Sequence, residues 1–166
     1  MHLEEKNLQV AMKQGTFEYD IHIEQEPRKI IDFLVEHTNH PRFHPLIVAV
    51  REITPPPPGI LRRFMITDQL AWGPIRFKVT YRADVLKATG TEMLTEAYQS
   101  PGTHVTNHST FTAEGRGTRL HDEIITLKAP DLLFNYAFEQ ARSSHRHLLD
   151  RLKQVLEAGE PGFAKP

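Results

Sequence analysis

Between positions 75 and 85 polarity alternates without a break. Ile75, Phe77, Val79, Tyr81, Ala83 and Val85 share one parity, and Arg76, Lys78, Thr80, Arg82 and Asp84 share the other. A period of two belongs to a strand with one buried and one wet face. The same pattern runs over residues 16–25, with Phe17, Tyr19, Ile21 and Ile23 set against Glu18, Asp20, His22 and Glu24. Five further strands are predicted over residues 47–53, 60–70, 91–98, 103–112 and 118–127. Several connectors are short: Trp72-Gly73-Pro74, Ser100-Pro101-Gly102 and Gly115-Arg116-Gly117. Short links join antiparallel neighbours. Residues 55–58 are four prolines closed by Gly59, a stiff loop that cannot join a ladder.

The period changes twice. Pro27 suits a first helical turn, where a missing N–H costs nothing. Ile30, Ile31, Phe33, Leu34 and His37 follow at helical spacing, which predicts a helix ending near Asn39. Residues 40–46 read as a turn or a short second helix. Residues 130–157 form a long amphipathic helix, with Leu133/Phe134, Ala137, Ala141, Ser144/His145, Leu148, Leu152 and Val155 recurring every three or four positions. Gly159 stops it. The expected fold class is therefore α+β: a curved seven-stranded antiparallel sheet gripping a long C-terminal helix, with two short helices after the first strand. The expected layout is an arm over 1–15, one domain over 16–158 and a tail over 159–166.

Composition narrows the function. The chain of 166 residues has no cysteine, which removes disulfides, thiolate catalysis and Cys metal sites. Its 21 acids nearly cancel its 20 strong bases, leaving a formal charge of −1. Bulk attraction to nucleic acid or to an anionic membrane is not expected from that balance. Residues 1–14 hold no apolar leader, and no apolar run approaches the roughly 20 residues of a membrane span. The expectation is a cytoplasmic protein with no integral membrane association and no nucleic-acid partner. The ten histidines allow a swing from −1 to +9 on full protonation. Most of that swing is expected near the ordinary histidine pKa of about 6.5.

Three segments carry a family resemblance: Ile21-His22-Ile23-Glu24-Gln25-Glu26-Pro27 leading into Ile30, Ile31 and Phe33; His40-Pro41-Arg42-Phe43-His44-Pro45-Leu46; and Gly117-Thr118-Arg119-Leu120. With the element order, they make residues 16–158 resemble the START-like superfamily, the helix-grip or polyketide-cyclase/coenzyme-Q-binding group. Phe43 stands where tryptophan is common there. The resemblance implies a cavity for an apolar or amphipathic small molecule. It does not imply one reaction, because the group includes lipid carriers, quinone-binding proteins, aromatic cyclases, hormone receptors and ribosome-associated proteins.

The cavity lining can be read from parity. A two-residue turn at Gly115-Arg116 sets Phe111 opposite Leu120, Ser109 opposite Asp122 and Asn107 opposite Ile124. Val105, Asn107, Ser109, Phe111, Leu120, Asp122 and Ile124 then share the more apolar, inward face. The other face carries His104, Thr106, His108, Thr110, His121, Glu123, Ile125 and Leu127. A one-residue slip would turn Glu123 inward instead of Asp122. A desolvated Asp122 is expected to have a raised pKa and to serve as an acid or base, or else to bond a neighbouring Arg or hydroxyl. Phe77 and Tyr81 are expected at the core or cavity, together with Phe64, and Arg62 or Arg63 at its mouth. On the last helix the small Ala137 and Ala141 are expected to leave volume flanked by Phe134, Phe138 and His145. His145 is the second acid–base candidate.

No cofactor and no metal site is expected. Pro41 and Pro45 break the helix that would bring His40 and His44 onto one ion. His104 and His108 lie about 13 Å apart on a strand. No phosphate loop, dinucleotide fingerprint or nucleophile elbow is present. The leading expectation is a binder of a lipid, quinone or polyketide-like molecule. The alternatives are a cyclase or dehydratase using Asp122 or His145, and a module whose outer face binds protein. Dimerisation through an exposed strand face or edge is compatible with each.

Overall fold

A computed structural model describes residues 10–158. The tail expected over 159–166 and the first nine residues of the expected arm lie outside the described residues. The element order is β1 (Met12–Ile23), α1 (Pro27–Val35), a 3-10 turn (His37–Arg42), β2 (Ile47–Ile53), β3 (Arg62–Trp72), β4 (Ile75–Ala88), β5 (Glu92–Gln99), β6 (Thr103–Glu114), β7 (Gly117–Pro130) and α2 (Asp131–Glu157). The strands form one antiparallel sheet in the order β1-β7-β6-β5-β4-β3-β2. First and last strands are neighbours, and α2 packs back across β1 and β7.

Strand and helix boundaries differ from the periodicity by a few residues, most at the start of β1 and the end of α1. β1 begins at Met12 rather than position 16, because Met12 to Gly15 pair with Pro130 to Leu127. It ends at Ile23, two residues early. α1 ends at Val35 rather than Asn39, because Glu36 takes an extended ψ of 87°. The Glu36 carboxylate then accepts from Thr38 Oγ1 at 2.7 Å, starting the 3-10 turn at His37.

The two-residue turns set the register. Gly73 and Gly115, each at φ +58°, occupy the first central position of the β3–β4 and β6–β7 hairpins, where positive φ matches the twist of the strands. Gly117 is needed for a different reason. A Cβ there would lie 2.2 Å from the Ile23 carbonyl oxygen and 2.9 Å from Glu24 Cα, both backbone atoms that cannot step aside. Gly117→Ala is expected to cost roughly 3 kcal/mol, read as a lowered urea midpoint at unchanged slope. A midpoint equal to the parent's would refute the close approach.

The core falls into three groups. Residues of α1 and the C-terminal half of α2, among them Ile30, Phe33, Leu152 and Leu156, meet Phe111 and Leu120 of the sheet. Phe64, Ile66, Ala83 and Val85 form a second group over β3 and β4. Ile124, Leu127 and Ala129 meet the N-terminal half of α2 through Phe134, Ala137, Phe138 and Ala141. Leu127, expected outside, is 1% exposed, while Ile125 is 39% exposed. A bulge in β7 between Ile124 and Thr126 reverses the parity.

Candidate functional site

Between these groups lies a partly open cavity of about 180 Å³, bounded by the sheet, α2 and the 3-10 turn. Most of its wall is apolar, with Leu34, Phe43, Ile66, Met93, Leu120 and Leu149 contributing. That is smaller than the several hundred Å³ usual for a drug-sized ligand.

Asp122 sits in this wall. Ser109 is its cross-strand partner and Asn107 is opposite Ile124, as the two-residue turn predicts. The carboxylate is buried and fully engaged. The Ser109 hydroxyl donates to Oδ1, Asn107 Nδ2 donates to Oδ2 at 3.1 Å, and His145 Nε2 of α2 bonds Oδ2. Burial alone would push this carboxyl up. The facing His145 and the bonds from His145, Ser109 and Asn107 outweigh it, holding the pKa below the usual aspartate value. The expected upward shift is thus reversed: three donors stabilise the ion more than desolvation destabilises it. His145 has a side chain 13% exposed. Phe17 meets its ring edge-on at 5.6 Å and Tyr19 stacks on it at 6.0 Å. Nδ1 accepts no hydrogen bond from the described residues. Asp122 and His145, separate candidates in the sequence, form one unit in which the acid holds the imidazole. Glu123 faces the other way, opposite His108 and Glu18.

A second polar group pairs an expected residue with an unexpected one. Tyr81 lines the cavity, and its hydroxyl donates to Asp68 Oδ1 at 3.3 Å. Burial lifts Asp68 to about 6. Burial, then the facing Asp68, raises Tyr81 well above its ordinary value. A sequence signal for Asp68 exists: it occupies the apolar parity of Phe64, Ile66 and Leu70.

The histidines also regroup. His37, His40, His44 and His145 all line the cavity, where His145 alone was expected near it. The 3-10 turn folds His37 onto His40 at 4.1 Å and onto Phe64 at 4.5 Å between ring centres. His40 Nε2 donates to Leu34 O at 2.8 Å, and His44 Nδ1 accepts from Leu46 N at 3.3 Å. Burial pushes His37 well below its ordinary value. Burial also takes His40 to about 4 and, with the charges of His40 and His145, takes His44 to about 3. These three rings are neutral at pH 7, so the charge swing expected near pH 6.5 loses them. Three strand histidines lie outward beside acids: His108 on Glu92 at 2.9 Å, His121 on Asp20 at 3.1 Å and His104 by Glu96 at 3.6 Å.

Several candidates lie elsewhere. Phe64 is fully buried beneath His37. Phe77 is half-buried opposite Leu70 and is not part of the cavity wall. Phe134, Ala137, Phe138 and Ala141 pack on Ile124, Leu127 and Phe17 rather than on the cavity. The space beside the two alanines is filled, with Phe138 meeting Phe17 at 5.6 Å and Phe134 at 5.4 Å. Arg62 binds Glu36 and Glu52 at 2.9 and 2.8 Å and covers Phe64, so it anchors the start of the 3-10 turn. Arg63 faces outward and grips Asp84 with two 2.7 Å bonds.

Solved structures share this architecture. TTHA0849 from Thermus thermophilus is 15% identical over 89% of this chain and 100% of its own, with a TM-score of 0.68. The di-domain ARO/CYC StfQ from the steffimycin biosynthetic pathway is 17% identical over 90% of this chain, with a TM-score of 0.69. This chain spans about half of StfQ, 52% of its length. Ara h 8.0201 is 13% identical over 84% of this chain and 98% of its own, with a TM-score of 0.57. At such identities the likeness concerns the fold, which is the helix-grip arrangement. No protein-family model and no curated protein matches the chain by sequence.

Proposed function

We propose that this chain binds a small, mostly apolar molecule between the sheet and α2. The molecule's polar groups would meet the Asp122–His145 pair and the Tyr81 hydroxyl. The observation that carries this reading is a mostly apolar cavity of about 180 Å³ with a buried acid–imidazole pair in its wall. A pocket of about 150 Å³ is enough for benzene. The size therefore favours one ring with short substituents over a long lipid or a fused polyketide. Ligand-sized cavities with a few polar anchors are the usual pattern for small-molecule sites.

Acid–base turnover of the bound molecule is a second reading, favoured by the His145 geometry. With Asp122 kept as the anion, Asp122 is a poor acid, and His145 is the acid–base candidate of the pair. Asp122 orients its ring, as a carboxylate does in other acid–base sites. The architecture shared with StfQ is compatible with cyclase or dehydratase chemistry.

Phenol and acetophenone serve as probes, alongside native mass spectrometry for a copurified molecule. Ala83→Leu fills the cavity wall and is expected to weaken probe binding at least tenfold while the protein stays folded. His145→Gln is expected to abolish any turnover and to leave binding within a few-fold. Equal probe affinity in the parent and Ala83→Leu would place the ligand outside this cavity and overturn the reading.

A further inference from the structure

One end of the molecule carries apolar side chains that the core does not use. Trp72 and Ile75 flank the Gly73-Pro74 tip of the β3–β4 hairpin and are 71% and 63% exposed. In the first turns of α2, Leu132 is 98% exposed, Leu133 39% and Tyr136 37%. Tyr136 joins the two elements: its hydroxyl donates to Ala71 O at 3.3 Å, and its ring lies 6.1 Å from that of Trp72. The result is one continuous surface at the end of the sheet where β1 begins and β7 ends. Soluble proteins rarely leave such side chains grouped and bare without a use for them.

Shape and charge indicate the occupant. Residues 71–76 are all exposed, so the hairpin tip projects. A projecting tip suits insertion into a soft layer better than packing against a rigid partner. Arg76 and Lys78 lie on the hairpin itself, and Lys13 and Lys128 lie on β1 and β7 at the same end of the sheet; all four are exposed and without an ion pair among the described residues. Asp131 is the neighbouring acid, and its Oδ1 is buried. Elsewhere Arg62, Arg63, Lys87, Arg119 and Lys153 each hold a carboxylate, and Arg51, Arg116 and Arg146 are exposed cations with no grouped apolar side chains beside them. Trp and Tyr are the residues that settle at a membrane–water boundary, and lysines and arginines beside them meet lipid phosphates.

We propose that this end docks on the surface of an anionic lipid bilayer. Trp72, Ile75, Leu132 and Leu133 enter the headgroup layer, and Lys13, Arg76, Lys78 and Lys128 lie against the phosphates. The formal charge of −1 provides no long-range pull; the attraction is local, confined to this end. Docking here is independent of what the cavity holds.

Trp72 is the chain's single tryptophan and so reports directly on the tip. The test adds vesicles of phosphatidylglycerol and phosphatidylcholine to the full chain and follows Trp72 emission and co-sedimentation. A shift to shorter wavelength with anionic vesicles is expected, with about tenfold weaker binding to pure phosphatidylcholine. Leu132→Ser and Ile75→Ser, both exposed and harmless to folding, are each expected to weaken vesicle binding by about tenfold. Arg76→Gln with Lys78→Gln is expected to remove most of the preference for the anionic lipid. Unchanged emission with both vesicle types would overturn the proposal. So would a blue shift that appears on concentrating the protein without lipid, since that would make a second copy the occupant.

Discussion

Acidification from pH 7 to about 4.5 is expected to unfold this protein or bring it close to unfolding. His40 and His44 have pKa values of about 4 and about 3 in the fold, and His37 also lies well below the ordinary 6.5. The unfolded chain takes up these protons below pH 6.5 while the folded chain does not. Stability is therefore full above pH 6.5 and lost as pH falls toward the folded values. His40 and His44 each withdraw on the order of 2 kcal/mol by pH 4.5, and His37 acts in the same direction. Asp68 works in the opposite sense. Its folded pKa of about 6 lies above the ordinary 3.8, so it favours the fold as pH drops below 6. Its gain is comparable to the loss from one histidine. The net loss is several kcal/mol, a large part of a typical total of about 5–15. Urea unfolding at pH 7.5, 6.0, 5.0 and 4.5 measures the slope. In His44→Gln, whose amide oxygen can still accept from Leu46 N, the slope should shrink by close to one proton. A flat profile from pH 7 to 5 would mean that these rings are solvated.

The second large effect concerns Asp122. Asp122→Ala leaves Ser109, Asn107 and His145 without their shared acceptor in a buried wall. The expected cost is about 3–5 kcal/mol. Replacing both members, as in Asp122→Leu with His145→Phe, is expected to recover most of that loss, because it removes the stranded imidazole together with the ion, while the Ser109 hydroxyl still donates to Asn107 Oδ1 at 3.0 Å. A double variant as stable as the parent would argue that the pair is kept for what it does to a ligand. A double variant as weak as Asp122→Ala would make the pair a structural device, and the acid–base reading would fall.

The candidate site is partly legible before folding is considered. Asp122, Asn107, Ser109 and Tyr81 follow from strand parity and from one turn at Gly115-Arg116, both local properties. Asp68 carries the same parity signal, though it was not among the expected residues. The grouping of His37, His40 and His44 is not legible as a site: their i, i+3, i+7 spacing would share a face only in a continuous helix, which Pro41 and Pro45 rule out, and their meeting depends on Glu36 interrupting α1 and on the 3-10 turn that follows. The alanines of α2 mislead for a related reason. A small residue marks space only if no neighbour enters it, and Phe17 and Phe138 do.

By itself, the sequence determined the elements, their antiparallel order, the buried parity of the strands as far as the β7 bulge and the helix that covers the sheet. Those rest on period, turn chemistry and chain length, which neighbouring residues carry among themselves. Tertiary structure alone decided that Asp122 meets His145 from an element 23 positions away, that the bulge before Thr126 turns Leu127 inward, and that the cavity volume is about 180 Å³. It also decided that Trp72 and Leu132 stand bare on one surface. These are separations between parts of the chain whose positions only the packed core sets, and no local pattern encodes them.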